Sequence, residues 1–467
     1  MIAIPICGPA YKSDSIPLNS QTCINMFPEI NESDSKNVVA LKPTPGLTLF
    51  STLTGYGTIR GIYTTSNNRL FAICGDTLSE INSVGVATVM GTIGTNTGRV
   101  YMTDNGLELI IADGSAGYLF TLSTNTLSTI ASGYPNGSHV VFLNQRFINN
   151  KPNTQQFYWS NLADGSTWDA SNVASAEGTP DNINALVTLG GELWVFGPQS
   201  YEVFYDTGST FARIQGSHSD VGCAAKYSPA ITDANIFWLG GDDSGQGKVY
   251  TNQGYRPLRI SNHAIEAEMQ SYAEVSDAWG YTYQQDGHEF YVLSFPTANK
   301  TWVFDMVTGM WHERNYTDSS NKVFYHKGIV HDFYNEKNLV GDWSSKNIYI
   351  LDTDKYTDDG DEITRERTTP HIWNNLERSF YSSFQLDMEV GVGLTSGQGS
   401  NPQVMLQISN DGGRTWGSEK WKSAGRIGEY KTRVKWNRLG TSRDRVFRIR
   451  MSDPVKWVIL GGYLEVE

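Results

Sequence analysis

The stretch Thr301-Trp-Val-Phe-Asp-Met-Val-Thr-Gly-Met-Trp-His-Glu-Arg314 limits what this chain can fold into more than any other. It reads as two strands and a turn. Trp302 and Phe304 alternate with Val303 and Asp305, Thr308-Gly309 makes the tight connection, and Met310-Trp311 resumes an extended run. A two-stranded hairpin cannot bury its apolar face alone, so a chain that repeats it must stack the copies against one another. Degraded copies recur here at roughly 35 to 45 residues, the spacing of propeller blades.

The first unit runs from Ile59 to Ile93 around Arg69-Leu-Phe-Ala-Ile-Cys74, and the second from Val100 to Ile130 around Leu107-Glu-Leu-Ile-Ile-Ala112. The third, Val140 to about Ser175, holds Phe157-Tyr-Trp159. The fourth is the clearest: Glu192-Leu-Trp-Val-Phe196, a Gly-Pro turn, then Ser200-Tyr-Glu-Val-Phe-Tyr205. Asn235-Ile-Phe-Trp-Leu239 marks the fifth, and Glu289-Phe-Tyr-Val-Leu293 with the opening hairpin marks the sixth. Lys322-Val-Phe-Tyr325 and Asn347-Ile-Tyr-Ile-Leu351 are assigned to the seventh. Seven blades follow, or six if the first or third unit is irregular. A short amphipathic helix is predicted at His263 to Tyr272, capped by Ser261-Asn262.

Composition agrees with an all-β chain. Apolar residues make up 39% and charged residues only 18% of the 467, a balance suited to a large core rather than to disorder. The 46 glycines imply many turns. The Met1-Ile-Ala-Ile-Pro5 start lacks the basic and apolar regions of a secretory signal, and no run approaches the ~18 apolar residues of a membrane span. Cys7, Cys23, Cys74 and Cys223 have neither metal-ligand spacing nor the density of a disulfide framework, so they are expected to be reduced and structural.

Outside the repeats the chain divides into an extended N-terminal arm (1–46) before the propeller (47–356), and a β-sandwich-like C-terminal domain (357–467) after it. Ile24, Phe27, Val39 and Leu41 suggest that the arm is an extended segment lying on another surface. An acidic linker, Asp352-Thr-Asp354 and Asp358-Asp-Gly-Asp-Glu362, precedes the last domain. There, Ser409, Asp411, Gly413, Thr415 and Trp416 match the Asp-box pattern, a hairpin turn in which Ser409 and Asp411 satisfy turn amides while Trp416 packs beneath. From Asp411 to Trp457, 13 Lys and Arg stand against 5 Asp and Glu, in a chain of net charge −13. Lys420, Lys422, Arg426, Lys431, Arg433, Arg443 and Arg445 are therefore candidate interface cations. Their partner is either DNA phosphate or the acidic surface of a neighbouring subunit.

Catalytic and metal motifs fail on spacing. Gly240-Gly-Asp-Asp-Ser-Gly-Gln-Gly-Lys248 misplaces the first glycine of a phosphate loop, and Val249 stands where Ser or Thr should follow the lysine. His326 and His331 fall on opposite faces of a strand, so with Asp332 they make a poor metal site. Lys355 and Tyr356 interrupt the register of a calcium loop in the acidic linker. No catalytic residue, metal or cofactor is expected. A sialidase-like glycosidase is one competing reading, although its boxes would recur within the blades and it would need a paired acid and nucleophile. A kelch-like carbohydrate- or protein-binding propeller is another.

Four stretches, taken in order, resemble the tail hub, or nozzle, family of short-tailed (podoviral) bacteriophages, which includes packaged-DNA stabilisation and tail accessory proteins. The first is Ile4-Pro-Ile-Cys-Gly-Pro-Ala-Tyr11 with Cys23-Ile-Asn-Met-Phe-Pro-Glu29 and Lys42-Pro-Thr-Pro-Gly-Leu47. The second is Tyr158-Trp-Ser160 with Asp164-Gly-Ser-Thr-Trp168, and the third Leu193-Trp-Val-Phe-Gly197 with Glu202-Val-Phe-Tyr205. The fourth is the tail from Gln407 to Leu464. The resemblance implies a non-enzymatic virion protein, assembled in the host cytoplasm as a homohexameric ring below the portal and its head-to-tail adaptor. The arm and C-terminal domain would build the ring platform, the arm gaining its buried area from a neighbouring subunit, and the propeller would decorate it. DNA would pass through the channel without sequence specificity, held back beforehand by a needle or plug, and tailspikes or fibres would attach outside.

Overall fold

The computed structural model describes all residues except 32, 34–36, 243, 244, 376 and 467, and omits the side chains of 242, 245 and 246. Its repeats form antiparallel sheets in chain order. Four-stranded sheets span 59–92, 101–129, 140–175 and 185–213. The fifth, 222–259, splits its innermost strand into Gly222–Cys223 and Ala230–Ile231. The sixth begins at Trp279–Gln285 and the seventh at Gly328–Tyr334. The innermost strands neighbour one another in this order, and Gly328–Tyr334 returns to Ile59–Thr64, which closes a seven-bladed ring.

Aromatic and branched residues weld adjacent blades together. Phe71, Ile73 and Leu78 of the first blade pack on Leu109, Ile111 and Phe120 of the second. Trp194, Phe196 and Tyr201 of the fourth meet Trp238 of the fifth. Each blade thus buries the apolar face that an isolated hairpin would expose, at about 25 cal/mol per Å² removed from water. The last blade is completed from the other end of the ring: Gly46–Thr52 pairs antiparallel with Asn347–Asp352 as its outer strand.

The opening hairpin forms as its pattern demands. Thr301 pairs with Arg314 and Asp305 with Met310, while Trp302 and Trp311 are buried. Asp305 Oδ2 accepts from the Thr308 hydroxyl at 2.8 Å, and Gly309 supplies the positive φ of 67° that the turn requires. Its outer strand, Met310–Thr317, does more than complete a blade. Glu313 sits beside Ile24 of the arm, and Ile24 pairs in turn with Glu366. The sheet therefore runs from the sixth blade through Cys23–Ile24 into Arg365–Thr368, Asp444–Met451, Gln403–Ser409 and Lys420–Ser423. That run is one layer of the C-terminal sandwich. The other layer is ordered Val434–Asn437, Ser379–Met388, Ile459–Val466, Val39–Pro43 and Met26–Ile30, with Ile2–Ile4 also paired to Ile459–Val466. Phe384 and Phe447 stack between the layers at 5.0 Å, beside Trp436, Trp457 and Leu406.

Three expectations change. The arm finds its buried area on its own chain, because Phe27, Leu41 and Cys23 fill the seam between propeller and sandwich. The acidic segment does not dangle as a linker: Thr357–Asp358 and Asp361–Glu362 form a small hairpin docked on Leu47 of the seventh-blade sheet. Val323–Tyr325, assigned to the seventh unit, pairs with Asn315–Thr317 of the sixth. The predicted helix is found at His263–Gln270, where the Asn262 side chain accepts from the Ile265 amide at 3.0 Å.

Candidate functional site

The basic surface of the sandwich lies on its edge strand and the loops that follow. Lys420–Ser423 is paired on one side only, to Gln403–Leu406. Lys420, Trp421 and Lys422 are all exposed along it, and the next loop exposes Arg426, Ile427, Tyr430, Lys431 and Arg433. Trp421, Ile427 and Tyr430 keep 55%, 58% and 71% of their surface in solvent, so apolar area is interleaved with the cations. Other cations of the sandwich are matched: Arg450 with Glu366 and Glu419, Lys435 with Glu465, Lys456 with Glu389. Among the described residues, Lys420, Lys422, Arg426, Lys431, Arg433 and Arg443 make no ion pair. A set of exposed cations without internal partners is available to an acidic surface brought by another molecule.

Arg445 does not belong to that set. It is 1% exposed, and its guanidinium donates to Asn410 Oδ1 and the Leu439 carbonyl and lies 4.2 Å from the Tyr381 ring. The strand pattern explains why. Arg445, Phe447, Ile449 and Met451 share the face that packs into the sandwich, all of them buried. That two-residue alternation is visible in the sequence, and it would have removed Arg445 from the candidates.

The Asp-box is a compact hairpin end. Asp411 Oδ1 accepts from the Ser409 hydroxyl at 2.6 Å and from the amides of Arg414 and Thr415 at 3.0 and 2.9 Å. The Gly413 amide donates to Ser409 Oγ at 2.8 Å. The Ser409 and Thr415 hydroxyls, with those amides, hold the Asp411 carboxyl well below the usual carboxylate range. Trp416 is half-buried, with the Arg448 guanidinium 4.2 Å from its ring.

Arg367 does what no single motif announced. Fully buried, it donates to the carbonyls of Ile6, Pro9 and Thr22 at 2.7, 2.8 and 3.2 Å, and also to the Gln21 side chain. It thereby fastens the arm to the sandwich. A buried carbonyl left without a donor costs about 1–3 kcal/mol, so this one guanidinium satisfies a whole bend of the arm.

The remaining candidates are dispersed. Burial lowers His326 to about 3 and His331 to about 4, so both are neutral at pH 7. His331 stacks on Tyr281 and bonds the Asn338 side chain at 3.0 Å. Among the described residues no group of three or more His, Cys, Asp or Glu is placed to hold a metal. Gly240 pairs with Lys248 between two antiparallel strands, and Asp243 and Ser244 of this segment lie outside the described residues. Cys7, Cys23, Cys74 and Cys223 are free thiols. No helix among the described residues is long and apolar enough to cross a membrane.

Comparison with known proteins follows the division of the fold. A family model described as Bacteriophage P22 Gp10, beta-propeller, matches residues 2–356, and one described as Bacteriophage P22 Gp10, beta-sandwich, matches residues 364–467. A search of the curated proteins found no match. Among solved structures the chain is similar to the WD40 beta propeller domain of Doa1, with 13% identity over 65% of this chain and 96% of that one and a TM-score of 0.43. It is also similar to a chain of the Mitotic Checkpoint Complex, with 8% identity over 69% and 97% and a TM-score of 0.44. The third likeness is to PorZ of Porphyromonas gingivalis, with 10% identity over 72% and 44% and a TM-score of 0.40.

Proposed function

Because the chain belongs to the bacteriophage P22 Gp10 family, and so is a structural component of a phage tail, we propose that it is the hub, or nozzle, of a short tail. In this reading six copies close a ring below the portal and its adaptor. The ring extends the DNA channel and stabilises packaged DNA, and it carries a needle or plug and the tailspikes or fibres. Assembly takes place in the host cytoplasm. The observation that carries the reading is the family match to propeller and sandwich in succession along nearly the whole chain.

The surface chemistry supports it. Lys420, Lys422, Arg426, Lys431, Arg433 and Arg443 meet the acidic surface of the neighbouring copy, since the chain outside 411–457 carries a large negative excess. The arm joins the sandwich in forming the ring platform. An overall acidic conduit gives DNA few phosphate contacts, so passage is easy and retention falls to a mechanical stop.

Native mass spectrometry and electron-microscopic projections, with and without the adaptor ring, test both parts. The wild type is expected as a six-fold ring with a central hole, and Lys420→Glu/Lys422→Glu/Arg426→Glu as a monomer with unchanged thermal unfolding. A wild type that stays monomeric even on the adaptor overturns the hub. A charge-reversed variant that still forms rings overturns the cationic contact alone.

A further inference from the structure

One mouth of the propeller channel holds a cavity of about 420 Å³, within the ~300–1,000 Å³ range of small-molecule sites. Three blades build it: Thr58, Arg60, Asn96 and Thr97 come from the first blade and its flanking loops, Trp279 and Pro296 from the sixth, and Trp343 from the seventh, with Tyr325 from the connection between these two.

Its walls are of two kinds. On one side stand aromatic plates. Tyr325 stacks on Trp343 at 4.5 Å with 20° between the rings, and Trp279 is held by Tyr227 and by the Arg99 guanidinium, each 5.4 Å away. On the other side the groups are polar and neutral, with Asn96 and Thr97 exposed. Arg60 brings a charge to this wall, but all five of its N–H groups are engaged. Nε donates to the Gly98 carbonyl at 2.6 Å, and Nη1 to those of Gly75 and Thr95 at 2.7 Å. Nη2 donates to the Thr97 carbonyl at 2.6 Å and Thr95 Oγ1 at 2.9 Å. The arginine is therefore a fastener for the 95–98 loop and has no donor left for a phosphate or carboxylate.

We propose that this mouth binds a neutral saccharide. A pyranose presents apolar C–H faces, which stack on indole and phenol rings, and a girdle of neutral hydroxyls, which exchange hydrogen bonds with amide and hydroxyl side chains. The guanidinium that lines the cavity, Arg60, has no donor free for an anionic ligand, and a wholly apolar one would desolvate Asn96 and Thr97 without compensation. The site is formed within one copy, so it stands apart from the hub reading and is present in the monomer.

Saturation-transfer NMR on the full chain tests it, with methyl glucoside, galactoside, mannoside and N-acetylglucosaminide and their β-linked disaccharides as probes. At about 5 mM each, enough for weak millimolar binding, at least one probe should receive saturation on its ring C–H protons. Asn96→Ala/Thr97→Ala, which alters only exposed side chains, should weaken that binding about tenfold with unchanged thermal unfolding. Trp343→Ala should abolish it. Absence of transfer to every sugar overturns the proposal, as does equal transfer in the Asn96→Ala/Thr97→Ala variant. Transfer to adenosine or to a proline-rich peptide, but to no sugar, overturns it in favour of those ligands.

Discussion

The propeller and the arm-bearing sandwich are both antiparallel β-structure, yet they close in opposite ways. In the propeller, neighbours in sequence are neighbours in space, and one distant strand, Gly46–Thr52, is enough to complete the last blade. In the sandwich, Ile2–Ile4, Met26–Ile30 and Val39–Pro43 share a layer with Ile459–Val466, so the two ends of the chain make one core. The contrast teaches that damage within a blade should remain local, except at the closing strand Gly46–Thr52, whereas damage in the sandwich should spread through it.

Truncation should give the largest difference. Removing residues 1–44 takes away every arm strand of the sandwich and the two-residue bridge Cys23–Ile24, while leaving Gly46–Thr52 in the ring. The sandwich is expected to lose its cooperative unfolding transition and become protease-sensitive, with the propeller transition retained. Extending the deletion through residue 52 should abolish the propeller transition too. Calorimetry with limited proteolysis reads both, and a 45–467 chain that unfolds like the wild type would dissolve the contrast.

Two buried arginines sharpen it at smaller scale. Arg367→Met leaves the arm carbonyls of Ile6, Pro9 and Thr22 without their donor, at an expected total of about 3–5 kcal/mol from about 1–3 kcal/mol for each orphaned carbonyl. Arg60→Met loses a comparable set of bonds, but the carbonyls of Thr97 and Gly98 belong to exposed residues and can be rehydrated. About 1–3 kcal/mol is expected there. Denaturant titration of the two variants compares them directly, and equal losses would mean that both sites are equally sealed from water.

The same contrast decides what could be read from the sequence. Blade strands announce themselves locally, as in Glu192–Phe196, where alternation and turn residues fix the element without knowledge of its neighbours. The arm's destination had no such signal. Cys23–Ile24 is too short for a period, and its slot is set by Glu313 and Glu366, each hundreds of residues away. Likewise the mouth cavity joins loops from residues 57 to 343 and has no linear motif. The basic segment was legible as charge, but its division into exposed cations and a buried Arg445 needed the strand's facing pattern. Arg367 gave no cue, because an isolated arginine in a strand is ordinarily a surface residue.

The smallest effect concerns the seam between the two regions. His288 Nδ1 lies 2.9 Å from Asp305 Oδ2 in the sixth blade, and Nε2 lies 3.8 Å from Glu29 of the arm, which also pairs with Lys42. The hydrogen bond to Asp305 raises the His288 pKa above its ordinary value, against the effect of burial. A raised folded value means that the protonated ring stabilises the fold. That contribution is complete below the unfolded pKa of about 6.5 and is lost as pH rises through the higher folded value. His312 nearby has the opposite sign: burial depresses its pKa, so its contribution is present above about 6.5 and is lost as pH falls. His288→Gln isolates the first term. Its melting temperature should fall below that of the wild type at pH 6 and approach it at pH 8.5, with the arm's protease sensitivity following the same course. A deficit that is constant across this range would show that His288 acts by packing against Phe27 and Phe290, and that no ionic clasp joins arm to blade.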